Sequence, residues 1–152
     1  MERKQKRFKQ KLQVFVDFTN NIADLSVSQT LRVGCTAFRK DFSKVESFGY
    51  NGTYPNAPIN PETGGEEISL DPGKSGFLHA EENMIAKFHE KDAENYIVIV
   101  TYSPCRMCAM RLVNAGFKHV YYINEYRKTD HLHEIFGTCG IKFGKVSELT
   151  SF

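Results

Sequence analysis

The run YIVIVTY (96–102) is the strongest constraint on how this chain can fold. It is apolar or β-branched at nearly every position and does not alternate with polar residues, so it fits a strand covered on both faces, with helices above and below its sheet. PCRMCAMRLVNAG (104–116) then reads as a helix holding Met107, Met110, Leu112 and Val113 and stopping at Gly116. KHVYYINEY is a further strand, TDHLHEIFGTCG a short helix and IKFGKV a last strand. Upstream, LRVGCTAFR (31–39) and SKVESFGY (43–50) read as antiparallel strands joined by a short turn. HAEENMIAKFHE (79–90) reads as a helix with Met84, Ile85 and Phe88 on one side. The order α-β-β-α-β-α-β-α-β predicts a three-layer α/β/α fold, a mixed sheet of about five strands with helices on both faces and parallel pairs in its second half. One domain over 1–152 is expected, since a chain of this length buries roughly 70% of its unfolded surface around a single core.

The first segment carries six Lys or Arg between residues 1 and 11 against one Glu, although the whole chain is only +2. Such a cluster can contact nucleic acid. Phe8, Leu12, Phe15, Thr19 and Ile22 nevertheless fall at the spacing of a core-facing helical stripe, so the cations read as the solvated face of a first helix and nucleic acid is not the expected partner. No apolar run approaches the ~20 residues of a spanning helix, and the N-terminal charges are followed by no apolar segment of the signal-peptide kind. A cytoplasmic protein without a membrane partner is expected. Residues 51–76, with Pro55, Pro58, Pro61 and Pro72 among glycines, form a loop too long for a plain connector and are read as a lid, binding loop or effector region.

The cysteines divide into two kinds. Cys35 and Cys139 sit in short apolar stretches where a buried thiol is expected. Cys105 and Cys108 are three apart in SPCRMC, where Ser103 suits an N-cap and Pro104 the first helical position. Both thiols then point from the start of a helix, where the dipole favours thiolate, the form that binds zinc. A redox pair in that position would need no histidine. HAEEN begins its helix with His79, and if His79 lies at the extended start of that helix it can converge with Glu81 on one site. His79, Cys105 and Cys108 would supply three ligands and leave a fourth tetrahedral position for water, the arrangement of catalytic zinc. Glu81 is the candidate proton carrier beside it, and Glu82 is expected to turn toward solvent or a partner chain.

His79-Ala80-Glu81 followed by Pro104-Cys105-Arg106-Met107-Cys108 resembles the H-x-E…P-C-x-x-C signature of the zinc nucleobase deaminases. FGYNG (48–52), HAEEN, TYSPCRMCAMRLVNAGFKHVYY and the closing CGIKFGKV look like the deoxycytidylate deaminases within that superfamily, over about residues 30–146. The resemblance implies a cytidine deaminase-like fold and zinc-dependent hydrolytic deamination of dCMP to dUMP and ammonia, supplying dUMP for thymidylate synthesis. Water activated at the metal would attack C4, while Glu81 moves protons to N3 and then to the leaving amine. It further implies that Asn51 holds the sugar, although Asn51 before Gly52 is also an ordinary turn pair. Ala80 and Ser103 would frame the base. Tyr126 and Arg127, after the fourth strand, and Arg32 are candidates for the 5′-phosphate, whereas His131 and His133 read as a solvated helix face and Arg106 as exposed or at a subunit contact. Relatives of this kind are hexamers activated by dCTP and inhibited by dTTP, with Mg2+ on the effector. The long 51–76 loop departs from the short Pro-Gly turn usual after the GYNG segment. The competing readings are another zinc nucleobase deaminase, acting on tRNA adenosine or on free cytidine or guanine compounds, and a non-catalytic zinc module. Glu81, which a structural module would not need, speaks against the latter.

Overall fold

The computed structural model describes residues 2–58 and 76–152. Residues 59–75, most of the long loop read from the sequence, lie outside the described residues. The described elements are α1 (Glu2–Ala23), β1 (Gly34–Arg39), β2 (Val45–Tyr50), α2 (Ala80–Ala86), β3 (Tyr96–Tyr102), α3 (Arg106–Asn114), β4 (His119–Asn124), α4 (Asp130–Thr138) and β5 (Lys142–Lys145), with 3-10 turns at Ala93–Asn95 and Val146–Glu148. The five strands form one mixed sheet in the order β2-β1-β3-β4-β5. β1 pairs antiparallel with β2 and β3, and β3-β4 and β4-β5 are parallel. The element order and mixed sheet match the sequence expectation. The second helix does not, for it ends at Ala86 with Lys87 as its C-cap, well short of Glu90.

Each strand alternates between two cores. Cys35, Ala37, Val98, Val100, Val120 and Tyr122 face α2, α3 and α4, where Ala80, Met84, Ala109, Leu112, Leu132 and Phe136 complete one cluster. Phe38, Ile97, Ile99 and Tyr121 face the other way, against Leu12 and Val16 of α1. The central strand β3 is buried at every position but its last, which explains its unbroken apolar run. On α1, Leu12, Thr19 and Ile22 are buried, and Phe8 and Phe15 enter an aromatic group with Phe38, Phe42 and Phe152. Arg3, Lys4, Lys6, Arg7 and Lys9 are exposed. Among the described residues no helix is long and apolar enough to cross a membrane. Cys139 departs from its expectation: it caps the exposed end of α4, beyond the last buried residue of that helix, Phe136.

Two glycines let helices touch the sheet. A Cβ on Gly34 would stand 2.5 Å from the Thr19 carbonyl oxygen and 2.7 Å from the Ala23 nitrogen, so α1 lies directly on β1. A Cβ on Gly49 would collide with the Ala80 oxygen and the Met84 nitrogen, which are backbone atoms of α2 and cannot rotate away. Ser47 Oγ reinforces this seat by donating to the Met84 carbonyl at 2.6 Å. The replacement Gly49→Ala should therefore push α2 off β2 and destabilise the protein by about 1–3 kcal/mol. Urea unfolding measures this, and an unchanged midpoint would mean that α2 does not sit this close.

Candidate metal centre

β3 delivers the chain to the centre. Beyond Tyr102, the Ser103 N–H donates to the Asn124 carbonyl at 3.0 Å, extending the β3-β4 pairing by one step. The Ser103 hydroxyl is engaged by the loop after β4: it accepts from Tyr126 N–H at 2.8 Å and donates to the Tyr126 carbonyl at 3.1 Å. It is thus unavailable to cap α3. Cys105 takes that place with extended backbone (φ −70°, ψ 168°), and its sulfur accepts from the Cys108 N–H at 3.5 Å. The cap expected at Ser103 thus lies two residues later, because a tertiary contact outcompetes the local preference.

His79 arrives from the opposite side. Gly52 and Leu78 exchange backbone hydrogen bonds at 3.1 and 2.7 Å, pinning together the two ends of the loop that separates them. His79 follows as the extended N-cap of α2 (φ −77°, ψ 155°), with its N–H donating to Glu82 Oε1 at 3.2 Å. The other oxygen of Glu82 pairs with Arg111 on α3. Glu82 therefore does not turn to solvent but links the start of α2 to the last turn of α3. The His79 Nδ1 atom lies 3.3 Å from Cys108 Sγ and 3.5 Å from Cys105 Sγ. All three ligand atoms fall within 4.8 Å of one another. Tetrahedral zinc, with Zn–S near 2.3 Å and Zn–N near 2.0–2.1 Å, requires N–S separations of about 3.6 Å. One imidazole and two thiols at such separations fit that ion.

The same contacts perturb the acids. Hydrogen bonding to Cys105 raises the His79 ring to about 9. A bond from the Cys108 thiol, then one from the His79 ring, hold Cys105 down to about 4. Cys108 is driven the opposite way, chiefly by its bond to the Cys105 thiolate. Without metal the centre is therefore an imidazolium-thiolate pair with one neutral thiol beside it. Glu81 is 4% exposed, and burial raises its carboxyl to about 7. Cys35, fully buried in the adjacent strand, is also raised, by burial first and by Glu81 second.

The remaining candidates are placed unevenly. Ala80 is fully buried beside the ligands. Asn51 Oδ1 accepts from Val33 N–H at 2.9 Å and its Nδ2 donates to the Leu31 carbonyl at 2.8 Å, so this amide holds the segment before β1. Tyr126 is exposed, with its ring edge-to-face with Tyr102 and the Arg127 guanidinium 4.7 Å from the ring centroid, and Arg127 itself has φ +60°. Arg32 lines an open cleft of about 780 Å³ together with Leu31, Thr101, Tyr102 and Asn124. Since Thr101 and Tyr102 lead directly into Ser103, this cleft opens at the end of the sheet that carries the centre. Sequence reasoning missed two contacts. Glu82 was legible as the third residue after a helix start, the spacing of a capping box. His131, read as solvated, is instead partly buried and bonded to the Pro104 carbonyl at 2.8 Å.

Residues 9–124 match the family described as the cytidine and deoxycytidylate deaminase zinc-binding region. Deoxycytidylate deaminase of Schizosaccharomyces pombe is 28% identical over 136 residues, 84% of this chain and 41% of that protein. ComE operon protein 2 of Bacillus subtilis is 26% identical over 136 residues, 88% of this chain and 70% of that one. The chain thus spans well under half of the fission yeast protein. The dCMP deaminase of cyanophage S-TIM5, solved in complex with dCMP and dUMP, shares the fold with a TM-score of 0.70 at 24% identity, covering 88% of this chain and 94% of that one.

The electrostatics predict selective alkylation of the metal-free protein. An ordinary thiol is less than about 1% ionised at pH 6, whereas Cys105 is held down to about 4 and should be almost fully thiolate there. Iodoacetamide at pH 6 is expected to label Cys105 ahead of exposed Cys139, as read by peptide mass mapping. Labelling of Cys105 only above pH 8 would contradict the imidazolium-thiolate pair.

Proposed function

The chain belongs to the cytidine and deoxycytidylate deaminase zinc-binding family, and from that premise we propose that it is, as a single domain, a zinc-dependent dCMP deaminase yielding dUMP and ammonia. The observation carrying this reading is the buried Glu81 carboxyl next to a His79-Cys105-Cys108 cluster with zinc-like separations. Zinc, when held by these three residues, supplies Lewis-acid activation of water near neutral pH. The chain's own residues do the rest. Glu81, buried beside the cluster, accepts and returns protons, taking one from the attacking water to N3 and carrying the next to the departing amine. Ala80 and the Ser103 backbone border the base. On this reading the sugar and phosphate extend toward the cleft lined by Thr101, Tyr102 and Asn124, with Arg32 as the cation on its wall and Tyr126 and Arg127 on the loop after β4.

The names of the relatives support the substrate class. The fission yeast protein is a deoxycytidylate deaminase, and the cyanophage enzyme was solved with dCMP and dUMP. Activation by dCTP, inhibition by dTTP, Mg2+ on the effector and a hexameric assembly complete the proposal.

Following the ultraviolet change of cytosine with dCMP, CMP, deoxycytidine and dCTP side by side tests it. dCMP should be the best substrate, and preference for any other would overturn the assignment. Glu81→Gln should keep its zinc, read by elemental analysis, while kcat falls by about 10²–10⁴-fold. A Glu81→Gln enzyme with unchanged turnover would remove the proton-carrier role.

A further inference from the structure

The geometry points to His131 as a positioning residue for the Cys105 ligand. This rests on the reading that His79, Cys105 and Cys108 hold zinc. Cys105 is the N-cap of α3, so the direction of its Cβ follows from the peptide plane that joins it to Pro104. Two dihedrals set that plane relative to the strand before it. The pyrrolidine ring fixes φ of Pro104. His131 fixes the second, because its Nε2–H donates to the Pro104 carbonyl at 2.8 Å, and a carbonyl oxygen can only accept. His131 can hold this position because α4 is anchored by Leu132 and Phe136, both completely buried in the core under α3.

A second contact brackets the ligand from the other side. Arg106, the residue after Cys105, forms a two-bond pair with Glu134 of α4 at 2.9 and 3.2 Å. His131 and Glu134 are three apart and hence lie on one face of α4, so a single helix face grips the residues on both sides of Cys105. The two grips differ in strength. Arg106 and Glu134 are 57% and 63% exposed and screened by water, whereas the His131 bond is partly buried. His131 therefore carries most of the positioning.

Groups hydrogen-bonded directly to metal ligands change metal affinity by about 10–100-fold when removed, and His131, which acts one residue away through the Pro104 carbonyl, belongs at the lower end of that range. His131→Leu removes the donor, whereas His131→Gln keeps an N–H at nearly the same reach. Zinc affinity of the parent and both variants, measured by competition with a chromophoric chelator, separates the possibilities, with thermal unfolding of each metal-free protein recorded alongside. His131→Leu should bind zinc about 10-fold more weakly, His131→Gln should match the parent within a small factor, and the metal-free proteins should melt together. A His131→Leu protein with parental affinity, or a His131→Gln protein as weak as His131→Leu, would overturn the assignment while leaving the metal reading intact. A parent chain that binds no zinc would overturn both.

Discussion

One imidazole nitrogen within reach of two sulfurs is the contact on which the chemistry of the site turns, and it exists because two helices begin at the same end of the sheet. Parallel pairing of β3 with β4 requires the chain to cross back over one face, so α3 must start where β3 ends. α2 is brought to the same place by a different device, the absence of a side chain at Gly49, which lets its backbone rest on β2. Neither arrangement depends on the metal. The ligands are carried by elements whose positions the hydrophobic core determines, and the resulting site needs little reorganisation to accept an ion.

Burial then sorts the charges. Glu81 and Glu82 are neighbours in sequence, yet Glu81 turns into the core and is raised to about 7, whereas Glu82 reaches across to Arg111 and the His79 N–H. The difference is one of environment and not of chemistry, since both are carboxylates on the first turn of one short helix. A carboxyl held neutral-to-ionised in a dry setting can pass protons, and one fixed between two donors holds a backbone in place. The two thiols are separated instead by the hydrogen bond between them, which favours thiolate at Cys105 and thiol at Cys108 in the metal-free protein.

Much of this was legible in the sequence, and the exceptions share a cause. The β-branched run at 96–102, the helical stripe of α1 and the spacing of Cys105 and Cys108 are local signals that the packing respects. The α3 cap is not local. Ser103 has every intrinsic qualification, but its hydroxyl is claimed by Tyr126, a partner 23 residues away. His131 was read as solvated because nothing in its own helix reveals that Pro104 lies opposite. Asn51 read as the sugar-holding residue of the GYNG turn or as a plain turn residue before Gly52, and neither reading reveals that its amide joins Leu31 and Val33. Cys139 was misjudged because its apolar neighbours in sequence do not cover it at the end of α4. In each case periodicity identified the element, and only tertiary contact decided what one side chain does.

X-ray absorption at the zinc edge tests the central claim most directly, because it reads the ligands around the ion without reference to turnover. Zinc held by Cys105, Cys108 and His79 with one position left for water should give two sulfurs near 2.3 Å and two nitrogen or oxygen atoms near 2.0–2.1 Å. A shell of four sulfurs, or one without sulfur, would contradict the account.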